Sequence, residues 1–160
     1  MPVEFDRMLA ALFEEEDQAR SMARTLMDEA RTSVQAAAAE RTRLLAFMQG
    51  PLESHMVYEE DFIFPLLKDH GLEAEVAVCG KHHRRLRELR QALGATERPE
   101  EIAPIIFETA RLMLHHTNFE GDYIYPELSR DQWRALMRQT RELERERASQ
   151  VGLAEPPTDE

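Results

Sequence analysis

The sequence has a single cysteine, Cys79, so no disulfide can form within the chain. It has no apolar run long enough to cross a bilayer, and its opening residues, MPVEFDRM, lack the basic and apolar segments of a secretory signal. Together these absences point to a cytoplasmic protein. Basic residues are the minority: 20 Lys and Arg stand against 31 Asp and Glu, a formal net charge of −11 spread along the chain. Non-specific binding to nucleic acid or to anionic lipid needs a basic face, so neither a nucleic acid nor a membrane is expected as a partner. Glycine and proline are confined to a few places, and no segment alternates like a strand.

What is present is helix-forming sequence. Hydrophobic residues make up 42% and charged residues 32%, a balance that suits a folded globular chain, and 160 residues suit one hydrophobic core. The first helix is expected over about 3–31 and the second over about 34–68, kinked where Gly50-Pro51 interrupts it and ended by His70-Gly71. A third follows over about 72–94 and a fourth over about 100–125. Ser129 and Gln132 have the spacing of a capping box that opens a fifth, charged helix to about residue 149. Trp133, Leu136, Met137 and Leu143 give that helix one apolar stripe for docking. The expected fold is all-α: an up-down-up-down four-helix bundle with an additional C-terminal helix, forming one domain over residues 1–150, with a disordered tail at 151–160.

Two segments 61 residues apart match without gaps: HMVYEEDFIFPLL at 55–67 and HTNFEGDYIYPEL at 116–128. His, Glu, Asp, Ile, Pro and Leu recur in register, and each aromatic meets an aromatic. Residues i and i+4 share a helix face, so His55 and Glu59 can aim at one point, as can His116 and Glu120. Both pairs interrupt apolar stripes: Leu45, Met48, Leu52, His55, Glu59, Phe62 and Leu66 on helix two, and Ile102, Ile105 or Ile106, Thr109, Met113, His116, Glu120 and Tyr123 on helix four. A single such pair would read as a core histidine bonded to its neighbour. Two copies directed inward place two carboxylates in a core, which is costly unless they are paired or bind metal. Metals in a dinuclear site lie about 3.5–4 Å apart, a distance one carboxylate can bridge.

Helix three carries Leu72, Val76, Cys79, His83, Leu86, Arg90 and Leu93 at helical spacing. That stripe selects His83 and leaves His82 as a solvated surface residue, with Cys79 as a small buried hydrophobe. Helix one has no histidine. Its stripe is Phe5, Leu9, Leu12, Glu16, Ala19, Ala23, Leu26 and Ala30, and a slightly rotated one takes Met8, Leu12, Glu15, Ala19, Met22 and Leu26. Glu16 is the preferred interior acid and Glu15 the alternative. Tyr58, Phe62, Phe64, Phe119, Tyr123 and Tyr125 surround the repeats and read as core packing.

On these motifs, residues 5 to 128 resemble the hemerythrin-like family of HHE cation-binding domains. In that family a histidine from each of four helices and a glutamate from each His-x-x-x-Glu bind two irons. The resemblance implies metal-ligand roles for His55, Glu59, His83, His116 and Glu120, and two iron ions joined by an oxo or hydroxo bridge. Manganese or a mixed-metal pair is also compatible. The chain departs from the pattern where the fourth histidine should follow Leu12 by four residues, since Glu16 stands there. A carboxylate in place of an imidazole favours the ferric state and disfavours reversible oxygen carriage. The expected function is to bind or react with a small oxidant (oxygen, peroxide or nitric oxide), as a peroxidase or oxidase would. The alternative is a non-enzymatic iron or redox sensor, or an iron-handling module, that acts through a protein partner. A third reading is a structural bundle without metal.

Overall fold

In a computed structural model, residues 2–152 are described, apart from the side chains of residues 2–12, 125, 140, 151 and 152. The helices are α1 (Pro2–Thr32), α2 (Val34–Ala39), α3 (Arg41–Gln49), α4 (Pro51–Tyr58), α5 (Phe64–Asp69), α6 (Glu73–Ala95), α7 (Pro99–Phe119) and α8 (Arg130–Gly152). A π-helical turn, Glu59–Ile63, joins α4 to α5, and a second one, Glu120–Ile124, follows α7 and leads into a short 3₁₀ segment, Tyr125–Glu127. There is no strand among the described residues, so the chain is all-α as expected. Among the described residues no helix is long and apolar enough to cross a membrane. The disordered tail expected at 151–160 lies outside the described residues, except that Val151 and Gly152 end α8.

Local chemistry explains several of the boundaries. Ser33 caps α2, its Oγ accepting from the Ala36 N–H at 2.9 Å. The end of α5 is a Schellman motif: Gly71 takes φ 87°, Leu72 N–H donates to the Leu67 carbonyl at 3.0 Å, and Gly71 N–H donates to that of Lys68 at 3.0 Å. Ser129 and Gln132 close the capping box reciprocally, at 2.8 and 3.2 Å. The single kinked helix expected over 34–68 is instead broken at Glu40 as well as at Gly50.

The π-helical turns were not foreseen, and they shift the core register. In the first, Phe64 N–H reaches back five residues to the Glu59 carbonyl. Pro65 has no N–H to offer the Asp61 carbonyl, which accepts instead from Arg147 at 3.4 Å. A wider turn carries the buried face one residue further on. Ile63 and Leu67 are therefore buried where the α-helical stripe predicts Phe62 and Leu66, and Ile124 is buried where it predicts Tyr123. Tyr123, assigned by that stripe to the interior, is 58% exposed.

The interior consists of two apolar clusters. One joins Ala19, Ala23 and Leu26 of α1 to Met48, Leu52, Met56, Leu86, Ile106 and Met113. The other joins Ile63, Phe64 and Leu67 to Cys79, Ile124, Leu128, Trp133, Leu136 and Met137. α1 packs mainly on α7, α6 packs on α7 and α3, and α8 packs on α5 and the first π-helical turn through the apolar stripe expected of it. Chain after chain of helix passes from one cluster to the other through a buried polar residue. In the π-helical turn after α4 it is Glu59, between Met56 and Ile63; on α6 it is His83, between Cys79 and Leu86. On α7 and the turn after it, His116 and Glu120 lie between Met113 and Ile124.

Candidate metal centre

This polar layer contains all six residues singled out from the sequence. Glu16, Glu59, His83, His116 and Glu120 are buried, and the His55 side chain is 9% exposed. They form two overlapping groups, each with its ligand-type atoms within 4.8 Å of one another: Glu59, His83, His116 and Glu120, and Glu16, His55, Glu59 and Glu120. Glu59 and Glu120 belong to both. The carboxylate of Glu59 spans the groups, with Oε1 3.0 Å from His55 Nε2 and Oε2 3.2 Å from His83 Nε2. His116 Nε2 lies 2.8 Å from Glu120 Oε1 and 3.3 Å from His83 Nε2. His55 Nε2 is 3.6 Å from Glu16 Oε1.

All three histidines thus turn Nε2 inward, and each Nδ1 is engaged from outside. His55 Nδ1 meets the carboxylate of Glu15. His83 Nδ1 lies 3.2 Å from Glu60 Oε2, and Arg87 grips that carboxylate through both terminal nitrogens at 2.9 and 2.7 Å. His116 Nδ1 lies 3.0 Å from His82 Nδ1. Outer partners of this kind fix ring orientation and leave the inner nitrogen free to ligate. Phe64 stacks on His83 with centroids 5.3 Å apart.

Of the two helix-one acids, Glu16 is buried in the cluster, whereas Glu15 is exposed and meets His55 from outside. The expectation of a solvated His82 is corrected. Its ring is partly buried, edge-on to His116 and Phe119, because residues one position off a stripe still border the seam. Glu60 and Arg87 were missed. Their only trace in the sequence is that Glu60 breaks the repeat, standing where the second copy has Gly121. Cys79 is fully buried in the second apolar cluster, as expected, and burial pushes its thiol above the usual range. Tyr58 is half-buried beside Phe62, and burial together with Glu144 raises its hydroxyl above its ordinary value.

The electrostatics show what the cluster needs. Burial pushes Glu16 up to about 8, with Glu120 adding to the shift. Burial and the charge of Glu59 push Glu120 up to about 8 as well. Burial opposes charge on Glu59 too, but hydrogen bonds from His55 and His83 outweigh it and hold that carboxyl below its usual range. Burial would lower His55, yet Glu16 and Glu59 raise it to about 12, whereas burial takes His116 down to about 4. Three carboxylates and three imidazoles in one dry layer therefore rely on shared protons. Metal cations would supply the same positive charge, and this donor set of oxygens and neutral imidazole nitrogens fits them.

A small pocket of about 30 Å³ reaches this layer between α1, α3, α4 and α7. Phe47, Leu52 and Ala19 line it, and it ends on Glu16, His55, His116 and Thr117. That volume holds about one water molecule.

Comparison with known proteins finds no match among curated proteins and none among solved structures. The family model of the hemerythrin HHE cation-binding domain matches residues 7–94, a span that contains Glu16, His55, Glu59 and His83 and stops short of His116 and Glu120. A cation-binding family match over more than half of the chain agrees with the buried His and Glu layer: the chain belongs to the hemerythrin HHE cation-binding domain family.

Proposed function

We infer that this chain is a non-haem di-iron protein that binds or reacts with a small oxidant such as oxygen, peroxide or nitric oxide. Glu59 and Glu120, common to both ligand groups, would hold the two irons together with Glu16 and His55 at one position and His83 and His116 at the other. The observation that carries this reading is the double engagement of Glu59, one oxygen toward each histidine set. The framework proposed for it is an up-down-up-down bundle of α1, α2–α5, α6 and α7 with α8 docked outside, which the packing of α1 and α6 on α7 supports. Its setting would be the cytoplasm, where the lone buried thiol stays reduced.

The pocket supports a small ligand, since a volume of about 30 Å³ lies against Glu16, His55 and His116. Three carboxylates against three imidazoles favour the ferric state, and so favour reaction with an oxidant over its reversible carriage. Bound iron would supply the electrons, and the chain's own residues supply position. Glu60, fixed by Arg87, and Glu15 hold the rings of His83 and His55, and the apolar walls exclude bulk water. Replacing His116 by Ala should cost at least one metal per chain. Replacing His82 by Ala should keep both and weaken binding by about 10–100-fold, as loss of an outer partner does. Elemental analysis and metal titration read both, and equal losses in the two variants would contradict the ligand assignment.

A second reading, a sensor that acts through a protein partner, has one specific observation in its favour. α8 is fastened to the turn that carries Glu59: Arg147 pairs with Asp61 at 3.2 Å and lies over the Phe62 ring at 4.9 Å. Turnover separates the two. An iron-loaded enzyme consumes many equivalents of peroxide or nitric oxide. A sensor consumes one per centre and stops, with a change in hydrogen exchange along α8. Consumption no faster than by the metal-free chain would contradict both.

A further inference from the structure

The two ligand groups share Glu59 and Glu120 and differ in everything else. One adds two imidazoles, His83 and His116; the other adds one imidazole, His55, and a third carboxylate, Glu16. With neutral imidazoles, the Glu16–His55 position is more anionic by one formal charge.

The residues behind the rings widen the difference. His55 Nδ1 is bonded to Glu15, and a carboxylate in that place makes an imidazole a more basic, more anionic donor. His83 also has a carboxylate behind it, but both oxygens of Glu60 are taken by the Arg87 guanidinium, which offsets the charge. Arg87 is held in turn by Glu53 at 3.1 Å, so the clamp is anchored on α4 as well. Behind His116 stands another imidazole, His82, in place of an acid. The near-symmetry of the repeat is broken at the same place: Glu60 follows the first bridging glutamate, and Gly121 follows the second.

Carboxylate oxygens prefer hard, highly charged cations, whereas paired imidazoles suit nitrogen-preferring divalent ones. We propose that the two positions of the centre are selective, the Glu16–His55 position for a hard cation such as Fe³⁺ or Mn²⁺ and the His83–His116 position for a nitrogen-preferring divalent cation such as Fe²⁺ or Zn²⁺, so that a mixture of metals sorts between them. This rests on the dinuclear reading above and adds to it an order that a symmetric pair of positions would lack.

The test uses the full chain, stripped of metal and given one equivalent each of Zn²⁺ and Mn²⁺. Anomalous scattering from its crystals, measured at both absorption edges, reads the occupancy of each position. The expected result is zinc at His83–His116 and manganese at Glu16–His55, each enriched about tenfold over the other metal. Equal mixing or the reverse order overturns the selectivity and leaves the dinuclear reading standing. No metal at either position overturns both. In solution, with each metal offered alone, the Glu16→Gln chain should lose affinity chiefly for manganese and the His83→Gln chain chiefly for zinc. Loss of both metals together from either folded variant, with folding verified by circular dichroism, would also overturn the proposal.

Discussion

Replacing Glu59 by Ala should empty both proposed metal positions at once, whereas Glu16→Ala should empty one. This is the largest effect expected of any single substitution, because Glu59 directs one carboxylate oxygen at each of two histidine sets, His55 at 3.0 Å and His83 at 3.2 Å. Loss of an outer partner typically weakens a metal by about 10–100-fold, and loss of a bridging ligand should exceed that for both ions. Alanine at this position also takes a partner from His55 and His83, so folding of the variant is read beside its metal content. Glu59→Gln keeps the side-chain volume and can still hydrogen-bond to His55, so metal loss in both variants, with unchanged circular dichroism, would assign the effect to ligation. A Glu59→Ala chain that retains one full equivalent would show that Glu59 serves a single metal.

The second large effect is on stability against pH. In the metal-free chain Glu16 and Glu120 keep their protons to about pH 8, against 4.5 as ordinary carboxyls, because burial opposes their charge. His55 keeps its proton to about 12, against 6.5. Between pH 6.5 and 8 the folded state therefore holds more protons than the unfolded one at all three groups, and stability falls as pH rises. Each proton contributes up to about 1.4 kcal/mol per pH unit, so a total loss on the order of 3 kcal/mol over this window is expected. Below 6.5 the trend flattens. His82 and His116, kept neutral down to about 4 chiefly by burial, gain protons only on unfolding and oppose the carboxyls. Metal binding must displace the shared protons, so it strengthens with pH, and the loaded chain should lose this decline. Thermal melts of metal-free and loaded protein at pH 6.5 and 8 read the effect. The gap between the two forms should widen at the higher pH, and a gap that narrows would show that the protons are not held at these groups.

Much of this arrangement was legible in the sequence, and the parts that were not have physical reasons. The repeat carried the most information. An ungapped His-x-x-x-Glu with its flanks, twice, located four of the six clustered residues. Helical spacing chose His83 over His82 but admitted both Glu16 and Glu15, with Glu16 preferred. Helix ends written in local chemistry, such as Ser129 with Gln132 and His70 with Gly71, were readable because capping depends on neighbours in the chain. The π-helical turns were not read, although the aromatic-Pro pairs after Glu59 and Glu120 bear on them: Pro65 cannot donate to Asp61, and α-helical periodicity then misplaces Phe62 and Tyr123 by one position. The pairing of Glu60 with His83, and of Glu15 with His55, crosses 23 and 40 residues of chain, and no local pattern encodes which neighbouring helix a polar side chain will meet. The break at Glu40 falls in an alanine-rich stretch with no Gly or Pro to announce it.

Elemental analysis of tag-free protein from iron-supplemented cells, read beside its absorption spectrum, decides whether the buried layer of Glu16, His55, Glu59, His83, His116 and Glu120 is one centre for two metals. Close to two irons per chain are expected, with the near-ultraviolet absorption of a coupled diferric pair. A chain that binds no metal, even after anaerobic reconstitution with ferrous iron, would contradict the dinuclear reading and would leave the layer as a proton-sharing network inside a helical scaffold.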